Sequence, residues 1–336
     1  MYIAYQYKAA VPPDPFNSDA LTITRVKDLI ANDLATIITG ISSKYDLSDA
    51  CLNVMYYGTD IGWSVDTAKD DISHEYHIKS TSSDEYYKKF ITISTLDDTT
   101  TDTYGFTKIT NADGSISYSD TKNLVSMNLV LQLYDSTDTV CTQSKTRPLK
   151  IYAEGGTIHI HLNEHHLMLS SINTSNDKYS SPIGVADIYS KDILQSAFPR
   201  FVFFTCNTWG YIATQTNPVY CTRKPSTTTY GAAISNDKEY NVEIYDKTGI
   251  INFYNPDSAT HKYYYGNHVY VNDKQSSNYL FGGSISELGK FYALPSSSIA
   301  AKIYDEISLN GTTYIIWPIQ NNDFSTSYMR LLLLKG

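Results

Sequence analysis

Charge is scarce in this 336-residue chain: Asp, Glu, Lys and Arg supply 18% of it, against about a quarter in an average globular domain. The net balance is −9 at neutral pH, and no basic stripe interrupts it. A phosphate backbone would find no electrostatic footprint, so no nucleic-acid partner is expected. Long apolar runs are missing too. No stretch approaches the ~18 residues of a membrane span. The opening MYIAYQYKAAVPPDPF has neither the basic n-region nor the apolar h-region of a secretory signal. The expectation is synthesis in a cytoplasm, with no membrane partner.

Cysteine is sparse and scattered. Cys51, Cys141, Cys206 and Cys221 form no CxxC pair, which argues against a zinc ribbon or a thioredoxin-like motif. They read as buried free thiols, and the spacing permits but does not require a Cys206–Cys221 bridge across a hairpin. Absent as well are a GxSxG elbow, a Walker loop and a Rossmann glycine triplet. FGGSISE (281–287) reads as a turn. The adjacent pairs Asp70–Asp71 and Asp97–Asp98 sit in Thr/Ser-rich segments, where carboxylates are usually solvated. No catalytic residue and no cofactor is expected, and the chain does not read as an enzyme.

What the chain has in excess is tyrosine: 30 Tyr against 11 Phe and 3 Trp. Tyr joins a large apolar body to a polar tip, which suits half-buried sheets and wet interfaces. Ser, Thr, Asn and Asp supply the remaining polarity and favour strands and turns. One helix stands out. In TRVKDLIANDLATIITG, Val26, Leu29, Ile30, Leu34, Ile37 and Ile38 form a stripe at helical spacing. Thr24 or Thr22 can cap its start, and Gly40 stands where a C′ glycine belongs. Asp33 borders the stripe and reads as a rim residue.

After Gly40 the period changes to two. LNVMYY (52–57), ISHEYHIK (72–79), YYKKFITIST (86–95) and LVSMNLVLQLY (124–134) read as strands. FTKIT-NADG-SISYS (106–119) reads as a hairpin, and DDTTTDT (97–103) as a loop. Beyond Pro148 come further strands, IYAEGGTIHIHL, EHHLMLSS, PIGVADIY, RFVFFTC, GIINFYN, KYYYGNHVYV, TTYIIWPI and MRLLLLK. KDILQSAF (191–198) reads as a short helix. The fold class is mainly β with a small α component. An N-terminal α+β domain (1–148), with one amphipathic helix on a sheet, precedes a β-sandwich-like domain (149–336).

The densest group of ionisable residues is His159, His161, Glu164, His165 and His166, in GGTIHIHLNEHHLM. On a strand, His159 and His161 share a face at about 7 Å spacing. The order GG…HxH…E resembles the cupin metal motif, which makes His159, His161 and Glu164 metal candidates. The spacings depart from that motif, and no second one follows. The competing reading puts these histidines on the polar face of an exposed or inter-subunit strand, with no metal. His74 and His77, three apart, share no strand face; His261 and His268 flank a tyrosine run.

A further resemblance is one of order and texture. The helix ending at ATIITG, the segment DACLNVMYY, then DIGWSVDTA and YYKKFITIST follow one another as in a family of tailed-bacteriophage virion proteins. Trp63 and Asp66 occupy that family's GW…D positions. HHLMLSS…PIGVADIY…AFPRFVFF and the closing MRLLLLKG are similar to its second half. The resemblance implies a structural subunit of the tail, baseplate or neck, resident in the virion and made in the host cytoplasm. It implies partners among other virion proteins in a symmetric homo- or hetero-oligomer, and leaves room for a host-surface glycan. Tyr263, Tyr264 and Tyr265 are the interface candidates, and Trp63 the structural anchor. The alternative is a metal-dependent, cupin-like or carbohydrate-binding β-protein centred on His159 and His161.

Overall fold

A computed structural model describes residues 1–12, 14, 16–40, 46–68, 75–82, 89–95, 106–120, 124–132, 145–176, 183–187, 201–205, 219–221, 240–245, 263–264, 268–273, 278–284, 290–293, 302–309, 311–317 and 329–336. The first half runs β1 (Tyr2–Tyr7), α1 (Ile23–Thr39), β2 (Cys51–Tyr57), β3 (Trp63–Val65), β4 (Glu75–Ser80), β5 (Phe90–Ser94), β6 (Phe106–Thr110), β7 (Ile116–Asp120), β8 (Leu124–Gln132) and β9 (Lys145–Tyr152). Next come β10 (Gly156–Asn163), β11 (His166–Asn173), β12 (Ile183–Asp187), β13 (Phe201–Thr205), β14 (Val219–Cys221) and β15 (Tyr240–Tyr245). The last are β16 (Tyr263–Tyr264), β17 (His268–Asp273), β18 (Asn278–Ser284), β19 (Lys290–Ala293), β20 (Glu306–Leu309), β21 (Thr312–Trp317) and β22 (Met329–Leu334). The chain is mainly β with one described helix.

The helix forms where its stripe requires it. Thr22 Oγ1 accepts from the N–H of Arg25, and Gly40 leaves the last turn at φ 89°, a conformation that glycine adopts without cost. Val26, Ile30, Leu34, Ile37 and Ile38 are fully buried. They share one core with Ile3 and Tyr5 of β1, with Ile158 and Ile160 of β10, and with Ile78, Ile91 and Ile93 of β4 and β5. Asp33 is not on the rim. It is fully buried and accepts hydrogen bonds from Tyr5 Oη at 2.6 Å, the N–H of Ser48 at 2.7 Å and Ser48 Oγ at 2.9 Å. A carboxylate tolerates burial when its lone pairs are met in this way.

The main sheet has seven antiparallel strands in the order β14-β13-β12-β11-β10-β1-β2. A five-stranded sheet, β3-β4-β5-β8-β9, lies on the helix side, and another, β16-β19-β22-β21-β20, is built from late strands. The expected division at 148 does not separate the described residues. It falls inside β9, and β1 pairs with β10 along its whole length, from Tyr2 opposite His161 to Tyr7 opposite Gly156. KYYYGNHVYV divides into β16 and β17, which lie in different sheets, and FGGS belongs to β18 rather than to a turn. The hairpin over 106–119 forms as β6 and β7. Residues 97–103, 191–198, 222–230 and 249–255 lie outside the described residues, as do Asp70, Asp71, His74, Cys141, Cys206, His261 and Tyr265.

Candidate functional site

Alternation along β10 sorts its side chains into two sets. Ile158, Ile160 and Leu162 enter the helix-side core, so Thr157, His159 and His161 face the other way. Antiparallel pairing with β11 adds His166, Met168 and Ser170 to that second face, and pairing with β1 adds Tyr2 and Ala4. In a two-layer protein this face would meet water. Here the C-terminal strands and the turn before β20 cover it. His159, His161 and His166 are 7%, 3% and 1% exposed, which corrects the expectation of an exposed polar strand face.

Their hydrogen bonds define their proton states. His161 Nε2 lies 2.6 Å from the carbonyl oxygen of Leu334, and His161 Nδ1 lies 2.7 Å from His166 Nε2. A carbonyl only accepts, so His161 Nε2 carries the proton. Its neutral ring then accepts at Nδ1, and His166 donates from Nε2. His166 Nδ1 is left as a buried lone pair with no partner among the described residues. Burial pushes His159 and His161 down to about 3 and His166 well below its ordinary value, with the nearby N-terminal amine and Lys89 adding to the effect on His166. All three rings are neutral at physiological pH.

This geometry does not gather the metal candidates. Both nitrogens of His161 are committed. Glu164 stands at the turn between β10 and β11, paired with His165 at 3.2 Å. Among the described residues no three His, Cys, Asp or Glu side chains form a metal-holding group. His77, on β4 of a different sheet, lies 3.9 Å from Glu75. Cys51 is a free, half-buried thiol, pushed up by burial and by Asp33.

What the fold builds instead is a column of rings. Tyr57 stacks on Tyr2 with centroids 5.6 Å apart, Tyr2 on His159 at 5.9 Å, and His159 on Tyr304 at 3.4 Å. Trp317 closes one end edge-on at 5.8 Å, and Lys335 Nζ caps Tyr57 at 4.0 Å. The Tyr2 hydroxyl and His159 Nδ1 are 2.5 Å apart, and the Tyr304 hydroxyl donates to Ser170 Oγ at 2.7 Å. Beside the column opens a cleft of about 380 Å³, lined by Tyr2, Tyr57, His159, Lys302, Tyr304 and Glu306 among others. Sequence reasoning missed Tyr2, Tyr304 and Leu334. Tyr2 shares a strand pattern that could have been read, whereas nothing local marks the other two.

Trp63 is buried in the helix-side core, and its Nε1 donates to the carbonyl of Asn163 at 2.8 Å, 100 positions away. It ties β3 to the turn after β10, where Lys89 Nζ donates to the Glu164 carbonyl at 3.1 Å. Asp66 is buried and accepts from Lys79 Nζ at 3.3 Å. Tyr263 and Tyr264 form β16, opposite Tyr292 and Phe291 of β19. No family model matches the chain, and no curated protein matches it.

Proposed function

We propose that this chain is a structural subunit of a tailed-phage virion, placed in the tail, baseplate or neck, and that it works through protein–protein contacts. One observation carries the contact reading. β2 ends the seven-stranded sheet and, among the described residues, pairs on one side only, with β1. The register shifts between Gln6 and Tyr7, so Leu52 occupies a bulge and stands 54% exposed, while Met55 is 47% exposed. An unpaired edge offers backbone donors and acceptors to a neighbouring strand. Leu52 and Met55, three positions apart on this strand, add exposed apolar area that gains from burial.

The virion reading rests further on the ordered resemblance around Trp63 and Asp66 described above. The histidines support it indirectly. His161 bonds across to Leu334 of another sheet, while His159 and His166 bond to Tyr2 and His161 within their own, so this histidine cluster serves cohesion. The test is association in solution. The purified chain, alone or with its co-expressed virion neighbours, is compared with Leu52→Lys/Met55→Lys by light scattering on a sizing column. The reading expects a closed oligomer or complex that the double variant loses while its unfolding midpoint is kept. A monomer that joins no neighbour would overturn it.

A further inference from the structure

The cleft beside the ring column lies on the face covered by the late strands, and of the residues the assembly reading uses only Met55 lines it. We propose that it binds a neutral saccharide. Its volume of about 380 Å³ falls within the usual range of small-molecule sites, and a monosaccharide or a short disaccharide fits it. Its lining mixes apolar side chains, Ile172, Ile303 and Ile315, with the polar Thr157, Asn176 and Lys302 and the acidic Asp305 and Glu306. A sugar presents the same alternation, with C–H faces and hydroxyl edges. Both charge signs line the cleft, so an anion meets carboxylates and a cation meets Lys302. A neutral polyol meets no such repulsion, and each hydroxyl can donate to Asp305 or Glu306 or accept from Asn176 or Lys302.

Two further observations point to a ligand. His159 is more than nine-tenths buried and lines the cleft. Its Nδ1 is committed to Tyr2, and its Nε2 makes no hydrogen bond among the described residues. Whichever tautomer the ring adopts, a hydroxyl can complete that nitrogen, because a hydroxyl both donates and accepts. Tyr304, stacked on His159 and lining the same cleft, sits at φ 69°, which a bulky side chain adopts only under constraint. Its N–H donates to the Ile316 carbonyl at 2.7 Å, and its hydroxyl donates to Ser170. Backbone strain of this kind persists where the surroundings over-determine it, as at ligand clamps.

The test uses the full-length chain and a panel of glucose, galactose, N-acetylglucosamine and maltose, with inorganic phosphate as the anionic comparison. Binding is read by saturation-transfer NMR and titration calorimetry. At least one sugar should bind with a dissociation constant on the order of millimolar, the strength that a dozen ligand atoms at ordinary efficiency provide. Lys302→Ala/Glu306→Ala changes two exposed residues and should weaken that binding by roughly tenfold or more without lowering the unfolding midpoint. Thr157→Trp, which fills the cleft, should abolish it. No sugar signal up to about 50 mM, well above the expected constant, would overturn the proposal. So would sugar binding that survives both variants, or phosphate binding tighter than any sugar. Neither variant changes Leu52 or Met55, so the assembly test is read separately from this one.

Discussion

His161 donates from Nε2 to the backbone carbonyl of Leu334 at 2.6 Å, a bond that spans 173 positions of sequence. It joins the middle of β10 to the end of β22, and the proton on the far side of the ring is settled by it. The described histidine face is therefore a seam between sheets formed early and late in the chain. Its strength depends on the imidazoles remaining neutral.

Acid should weaken that seam. His159 and His161 hold a pKa of about 3 in the fold against an ordinary 6.5, and His166 is also lowered. Between those values the unfolded chain binds protons that the folded chain refuses, so stability is complete above about pH 6.5 and falls as pH drops toward 3. Each proton taken up contributes a slope of about 1.4 kcal/mol per pH unit. Urea unfolding at a series of pH values should show the decline, with a shallower slope in His166→Leu. A flat profile across that window would contradict the burial of these rings.

Asp33 should be a structural acid. Asp33→Ala leaves the Tyr5 hydroxyl and both Ser48 donors without their acceptor. Buried donors left unpaired cost about 1–3 kcal/mol apiece, so a loss of about 3 kcal/mol or more is expected in chemical denaturation. A change below about 1 kcal/mol would return Asp33 to the surface.

Tyr304 can be dissected in two steps. Tyr304→Phe removes the bond to Ser170 Oγ and should cost about 1 kcal/mol. Tyr304→Ala also uncovers His159 and Trp317; relief of backbone strain does not accompany it, because alanine is strained at φ 69° as well. A cost of about 3 kcal/mol or more is expected, together with a rise in the His159 pKa measured by NMR as water reaches the ring.

The helix gives the plainest packing test. Leu34 is fully buried in the shared core, and Leu34→Ala should cost about 2–5 kcal/mol in thermal or urea unfolding. A loss below about half a kcal/mol would place the stripe against solvent.

Local pattern carried much of this architecture. The helix stripe, its Thr22 cap and Gly40 are written in spacing alone, and so are β2, β4, β5, β8 and the hairpin of β6 and β7. Pairing across the chain is not written there. β1 lies between β2 and β10 because its Ile3 and Tyr5 face the same core as Ile158 and Ile160, a relation between segments and not within one. Asp33 was misplaced for the same reason. A polar residue beside an apolar stripe is buried only if other segments supply donors, and Tyr5 and Ser48 do so. His159 and His161 were paired on one face by alternation, yet what covers that face comes from Tyr304 and Leu334, well over a hundred residues later. Tyr304 adds a second obstacle, since its left-handed backbone has no glycine to announce it.

The central claim, that this chain is a virion component working through contacts, is tested most directly by a density map of tailed-phage particles encoded alongside it. The account predicts that the chain is found there in symmetric copies. The β2 edge, with Leu52 and Met55, should be covered by a neighbouring subunit, and the contact should bury at least roughly 1,000 Å² in total. Particles that lack the chain, or a map in which β2 faces solvent and no neighbour makes an extensive contact, would contradict it.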